Sequence, residues 1–342
     1  MKKILYVIVI TSISLSINLC DSCGRKNEKK FEVKTEQIKD IKKNVNTTIF
    51  RYEKDLFSLN VNKFSDELKI LQKKYPFFLE GNIEDPKNQK QLYDFITDPL
   101  TKEIYQTTMK KFPDISNIKA DFDDAFSYYA YYYPNNKIPI VYTYVSSLDY
   151  QLPIKYLDSI MIIALDMYLG ADCKYYSQLG APAYITSRYS KEYIVADCIK
   201  EMAFTNMQFE NAKVTLLDQM ITEGKRLYFA ESMLPETNDT ILIGYPLLKL
   251  EWAKKNEANI WGYIIQNNLL FTTDSKKIMK FMGEAPFTSF FQKDSPGRIG
   301  AWVGWQIVRA YMNNNANSKL QDMLNEKNAQ KILNISKYKP KK

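Results

Sequence analysis

Two acids and an arginine are the residues whose types and settings could carry chemistry. Asp166 lies in Tyr156–Gly170 (YLDSIMIIALDMYLG), the longest strongly apolar stretch beyond the N-terminus. An unpaired carboxylate would be costly to bury there. Glu223 lies in Leu216–Ala230 (LLDQMITEGKRLYFA), directly before Gly224. Arg298 ends the turn-forming run DSPGR (Asp294–Arg298) and stands beside glycines. Two carboxylates facing each other across an open cleft would suit glycoside hydrolysis, provided their separation is right. The alternative is that each acid is satisfied structurally by a Lys, Arg, Tyr or backbone donor, with Arg298 as a partner for one of them. Arg298 could equally be a charge at a helix start that makes no specific contact.

The absent residues narrow the chemistry further. Histidine does not occur in the 342 residues. That removes Ser-His-Asp triads, Cys-His pairs and His-ligated zinc sites, together with the usual proton switch near neutral pH. Oxygen ligands alone would favour Mg²⁺ or Ca²⁺ over a transition metal. No metal and no cofactor is expected. The 47 basic and 39 acidic residues leave a formal charge of +8. Much of the excess sits in two terminal runs, Arg25–Lys43 and Lys337–Lys342, which read as solvated charge. No nucleic-acid motif accompanies them, so nucleic acid is not an expected partner.

The elements that must position these residues follow from periodicity. Tyr156–Gly170 reads as a helix buried on most sides, with Asp158 in its first turn and Gly170 as its left-handed cap. With the helix Leu216–Ala230 it forms the pair around which the chain is expected to pack. Further helices are predicted at Phe64–Tyr75, Gln91–Lys111, Asp121–Tyr133, Lys191–Phe209, Pro246–Asn267, Ser275–Met282 and Arg298–Asn313. Ile138–Ser146 alternates at period two and reads as a strand, which Pro139 confines to an edge or to a strand start. The tyrosines of Tyr128–Tyr133 read as a packing face, or else as the lining of a solute pocket. Gly300 and Gly304 have the spacing of closely packed helices. No internal repeat or interior linker divides the body. The expected fold is α+β, predominantly helical, in a single large domain with a small sheet over residues 47–342.

Residues 1–23 read as a targeting segment, with Lys2 and Lys3 before the apolar run Ile4–Leu19. Cys23, flanked by Ser22 and Gly24, is the expected lipidation site, and Cys20 is the alternative. Acyl chains there would anchor the chain to a membrane, at about 0.8 kcal/mol per buried methylene. Residues 24–46 read as a flexible polar tether. Cys173 and Cys198 could form a disulfide in an oxidising compartment or remain buried free thiols.

YTYVSSLDY (Tyr142–Tyr150), LDMYLG (Leu165–Gly170), LLDQMITEGKRLYF (Leu216–Phe229) and SPGRIGAWVGWQIVRAYM (Ser295–Met312) together resemble the gliding-motility lipoprotein GldB family. The resemblance extends over essentially the whole exported chain. It implies a lipid-anchored, periplasm-facing envelope protein with partners in the gliding apparatus and the coupled type IX secretion machinery. A more distant resemblance is to zinc peptidases of the gluzincin type. It places their HExxH on Leu165–Leu169 and their third metal ligand on Glu223, so that leucines stand at both histidine positions and Asp166 stands where the base would be. What this implies is a degenerate, zincin-like scaffold without catalysis, with Asp166, Glu223 and Arg298 as remnants of a site. The other readings are an envelope hydrolase or a metal-dependent peptidase using Asp166 and Glu223, and a solute-binding lipoprotein.

Overall fold

A four-stranded sheet stands where the organising helix is expected. Its strands are β1 (Ile49–Arg51), β2 (Ile140–Tyr144), β3 (Ile154–Leu157) and β4 (Ile160–Ala164), in the spatial order β1-β2-β4-β3. The computed structural model describes residues 35–207, 214–315 and 317–340. The targeting segment with Cys20 and Cys23 lies outside them, as does the first part of the expected tether. β1, β2 and β4 run parallel, with Val141 paired to both Ile49 and Met161, and β3 runs antiparallel to β4.

The predicted helix Tyr156–Gly170 is therefore a hairpin followed by a short turn. Asp158 and Ser159, both left-handed at φ 49° and 65°, join β3 to β4. This is the two-residue loop whose twist matches paired strands, and Asp is among the side chains that tolerate the left-handed region. β4 is an inner strand covered on both faces, and its residues from Met161 to Ala164 are all buried. A strand covered on both faces loses its polar alternation and imitates a buried helix, so periodicity alone misreads it. Leu165–Met167 make a single 3-10 turn, and Gly170, at φ 116°, caps no helix. Of the two placements left open to Pro139, the strand start is the one realised: β2 begins at the next residue and is an inner strand.

Helices precede and separate the first two strands. α1 (Thr35–Lys42) falls within the expected tether and packs on a later helix. Ile38 is its buried anchor, a single apolar contact that a Lys-rich composition conceals. After β1 come α2 (Tyr52–Phe57), α3 (Phe64–Lys74), α4 (Pro86–Thr97), α5 (Pro99–Lys111) and α6 (Ser116–Tyr132), the helix that α1 contacts. The continuous helix expected over Gln91–Lys111 breaks at Asp98. Pro99 disfavours helical backbone in the residue before it, and Asp98 takes ψ 130° and accepts the Thr101 N–H at 2.7 Å as the cap of α5. An aromatic cluster of Phe50, Tyr52, Tyr75, Phe78 and Tyr142 fills the space around β1 and β2. Beside it the fully buried Glu53 accepts from Arg51 Nε at 2.6 Å and from Thr143 Oγ1 at 2.8 Å. Arg51 also donates to the Phe112 carbonyl beyond α5.

The second half is helical: α7 (Lys174–Gln178), α8 (Ala183–Thr186), α9 (Ile194–Thr205), α10 (Leu216–Met233), α11 (Asp239–Ile243), α12 (Leu247–Lys255), α13 (Glu257–Gln266), α14 (Ser275–Met282), α15 (Ile299–Asn314), α16 (Leu320–Asn325) and α17 (Ala329–Ser336). The long helix predicted over Pro246–Asn267 is interrupted at Asn256, where α12 gives way to α13. α10 and α15 make the most extensive helix–helix contact, so the central pair is these two, and not α10 with Tyr156–Gly170. Gly224 and Gly304 allow it. A β-carbon on Gly304 would lie closer to the Met220 carbonyl than the 3.0 Å that real β-carbons keep, and one on Gly224 would strike the Gly304 carbonyl. α9 lies against both β3 and α10, linking sheet and bundle. Val33–Lys342 form one compact unit. Among the described residues no helix is long and apolar enough to cross a membrane.

Candidate functional site

Asp166 and Glu223 are both well partnered, but by different groups. Asp166 is fully buried at the end of the sheet. Its Oδ1 accepts the Ser146 N–H at 3.0 Å and its Oδ2 accepts the Leu148 N–H at 2.7 Å. The Ser146 hydroxyl reaches both oxygens, at 3.1 and 3.0 Å. Burial raises the pKa of this carboxyl, and the donors from Ser146 and Leu148 work in the opposite direction. Around it Ser147 and Leu148 both take left-handed backbone, φ 59° and 68°. Asp166 thus occupies the inside of the turn that leaves β2.

Glu223 sits on α10, whose start is set by a capping box. Thr215 Oγ1 accepts the Asp218 N–H at 3.2 Å, and Asp218 Oδ2 accepts the Thr215 N–H at 2.8 Å. Glu223 Oε2 receives Arg298 Nη2 at 3.0 Å and faces Arg226 Nη1 at 3.7 Å. Arg298 precedes α15 in left-handed backbone, φ 53°, and the Tyr245 hydroxyl bridges the carbonyls of Gly297 and Arg298 at 2.8 and 3.0 Å. A cation at a helix N-terminus opposes the helix dipole. Here the acids outweigh that cost. Burial works against the charge of Arg298, but Glu223 and Glu284 overcome it and raise its pKa.

The pair belongs to a longer chain of charges. Arg298 Nη1 lies 3.3 Å from Glu284, which also meets Arg188 at 3.1 Å. Arg188 lies over Gly244, where a β-carbon would come within 2.6 Å of its Cδ. On the other side Arg226 pairs with Glu201 at 3.6 Å and donates from Nε to the Lys200 carbonyl at 3.1 Å. Lys200 Nζ meets Asp197 at 2.7 Å, and the other oxygen of Asp197 accepts the Tyr168 hydroxyl at 3.0 Å. Burial lowers the pKa of Lys200 while Asp197 supports its charge. Four cations (Arg188, Lys200, Arg226, Arg298) and four anions (Asp197, Glu201, Glu223, Glu284) make up this network. Its formal charge cancels.

Of the sequence candidates, the structure joins Glu223 to Arg298 and leaves Asp166 with Ser146 and Leu148. Arg188, Asp197, Lys200, Arg226 and Glu284 were not singled out from the sequence. Only the spacings Asp197–Lys200 and Glu223–Arg226, three residues apart on a helix, could have signalled pairing. Leu165 and Leu169 are both buried, but within a 3-10 turn and the residues after it, not one helical turn apart on a common face. Cys198 is buried in α9, Cys173 is partly exposed before α7, and neither is bridged. Of the tyrosines at the end of α6, Tyr129 is buried and stacks on Tyr133, just past the helix, at 5.0 Å, and Tyr133 meets Phe229 of α10 at 6.2 Å, whereas Tyr128, Tyr131 and Tyr132 are half-buried.

Comparison with curated proteins and with solved structures found no match. The family described as "Gliding motility protein GldB" matches residues 32–340, from just before α1 to beyond α17. The match takes in β2 and its turn, α10, and the loop that carries Arg298, and on it the chain belongs to the GldB gliding-motility family.

Proposed function

We propose that this protein is a lipid-anchored component of the cell envelope that serves gliding motility, and the coupled type IX secretion machinery, through its surface and without catalysis. The observation that carries the reading is that both acids best placed for chemistry are committed to structural bonds. Asp166 holds the β2 turn, and Glu223 is clamped by Arg298 and Arg226. A hydrolase would need at least one of them free to exchange a proton with substrate. A scaffold needs what is seen here, charges spent on fixing the positions of helices. Leu165–Leu169 do not form the turn of helix that a zincin-like site would need to align two ligand positions.

Anchoring is assigned to Cys23, with Cys20 as the alternative, which leaves the folded unit facing the periplasm. The partners are then other proteins of the motility and secretion apparatus. The test is complementation of a strain lacking the gene with Cys23→Ala, Cys20→Ala, Asp166→Asn and Glu223→Gln. Cys23→Ala is expected to leave the membrane fraction and lose motility. Asp166→Asn and Glu223→Gln are expected to support motility in proportion to the folded protein present. A variant of either acid that is fully folded and abundant yet non-motile would favour the hydrolase instead.

A further inference from the structure

A groove far along the chain from these acids has a lining of a different kind. It lies at the junction of α12 and α13 as an open depression of about 370 Å³, at the lower end of the ~300–1,000 Å³ of small-molecule sites. Trp252, Asn256, Asn259 and Ile260 form one wall, and Phe290, Phe291 and Gln292 form the other. The three aromatic rings are half-buried, whereas Asn259 and Gln292 are exposed at the rim.

Both walls are fixed before any ligand arrives. On the helical side, the backbone breaks only slightly at Asn256. Asn256 Nδ2 donates to the Trp252 carbonyl at 2.9 Å, which aligns residues 252, 256 and 260 along one face. That bond uses the amide nitrogen and leaves the Asn256 carbonyl oxygen to accept. The opposite wall is a loop closed by buried polar groups. Thr288 Oγ1 donates to the Pro296 carbonyl at 2.8 Å, and Ser295 Oγ accepts the Thr288 N–H at 3.2 Å. Lys249 Nζ ties the loop to α12 through the carbonyls of Lys293 and Ser295. Phe290 stacks on the buried Phe281 at 5.1 Å, and Phe291 meets Trp252 at 6.0 Å. Such prior ordering reduces the entropy lost on binding.

We propose that this groove binds a neutral carbohydrate. A sugar ring presents an apolar C–H face and a rim of hydroxyls that both donate and accept. The electron-rich face of an indole or phenyl ring suits the first. The second is matched by primary amides, which offer donors and an acceptor together without charge. Asn256, Asn259 and Gln292 supply three of them around Trp252, Phe290 and Phe291. The residues that line the groove carry no charge, and a cation beside its rings, Lys280 Nζ, lies over the Phe290 ring at 5.0 Å from the centroid. The site is independent of the surface role proposed above and would give that surface a glycan to hold.

The experiment uses the full chain in mild detergent and two neutral probes, tri-N-acetylchitotriose and cellotriose. A sulfated heparin trisaccharide and a proline-rich peptide serve as competitors. Saturation-transfer NMR and calorimetry read binding without relying on tryptophan emission. The expected result is saturable binding of at least one neutral trisaccharide at millimolar concentration or tighter. Trp252→Ala should weaken it at least about tenfold. Asn259→Ala, at an exposed position that leaves the melting curve unchanged, should weaken it about threefold or more. The proposal is overturned if neither neutral saccharide saturates the protein, if binding is unchanged in Asn259→Ala, or if the sulfated saccharide or the peptide binds more tightly.

Discussion

Leu148 donates its backbone N–H to Asp166 Oδ2 at 2.7 Å, and does so from a left-handed conformation, φ 68°, that a leucine rarely adopts. Ser147 before it is left-handed as well. Two such residues in succession cost free energy and persist only where their surroundings hold them. Asp166 is what holds them, since its carboxylate accepts the N–H groups on both sides of Ser147.

Asp166→Asn should therefore loosen this turn. An amide offers one acceptor in place of two and turns N–H bonds toward a donor. A loss of about 1–3 kcal/mol is expected from the unsatisfied buried group, read as a lower urea midpoint. Limited proteolysis should show a new cut between Val145 and Gln151. A variant as stable as the parent would remove Asp166 from its structural role.

Glu223 and Arg298 should be energetically coupled. Both side chains are mostly buried, 20% and 17% exposed, so solvent screens them only in part. In a double-mutant cycle with Glu223→Gln and Arg298→Met, a coupling of about 0.5–3 kcal/mol is expected. Additive single changes would show that the charge network does not act as a unit.

Gly304→Ala and Gly262→Ala form a matched contrast. A methyl at Gly304 would meet the Met220 carbonyl and force α10 and α15 apart, and overpacking of this kind costs about 1–3 kcal/mol or more. At Gly262, within α13, nothing lies within 4 Å of the added carbon. There alanine should stabilise by about 0.5–1 kcal/mol through helix propensity. Thermal melts of the two variants should move in opposite directions.

Lys225 supplies a pH signature. Its Nζ donates to the Leu324 and Glu326 carbonyls at the end of α16, and burial pushes its pKa down to about 8 while Glu326 pulls the other way. In the unfolded chain the value is about 10.4. Between these two values the unfolded chain carries a proton that the folded one lacks, so stability rises with pH across that window and is flat with respect to this group below it. Measured against Lys225→Met, the parent should gain up to about 1.4 kcal/mol per pH unit in the window. A difference that stays constant from pH 7 to about 10.4 would contradict the depressed value.

Amphipathic spacing was a sound guide where one face meets the core and the other meets water. α3 and α14 lie where that periodicity places them; α10 and α15 also lie where expected, although both are covered nearly all round, and the close spacing of Gly300 and Gly304 does mark a tight helix contact. It failed at β4, where burial on both faces erased alternation, and at α1, where one buried isoleucine among lysines left little pattern to read. The pairing of Arg298 with Glu223 was foreseen as an option because an arginine beside a turn is free to reach. Arg188 and Glu284 were invisible for a simpler reason. Their partners lie on other elements, and ion pairs between elements leave no mark in local sequence.

The seam between α10 and α15 has a mechanical consequence. Where side chains separate two helices, rotamer changes let them slide and rock. At Gly224 and Gly304 backbone rests on backbone, and no side chain remains there to act as a cushion. Closely packed interiors compress little and transmit strain. A tug applied at either helix should therefore pass to the other without slack, which makes the pair a stiff strut in a protein whose family serves movement.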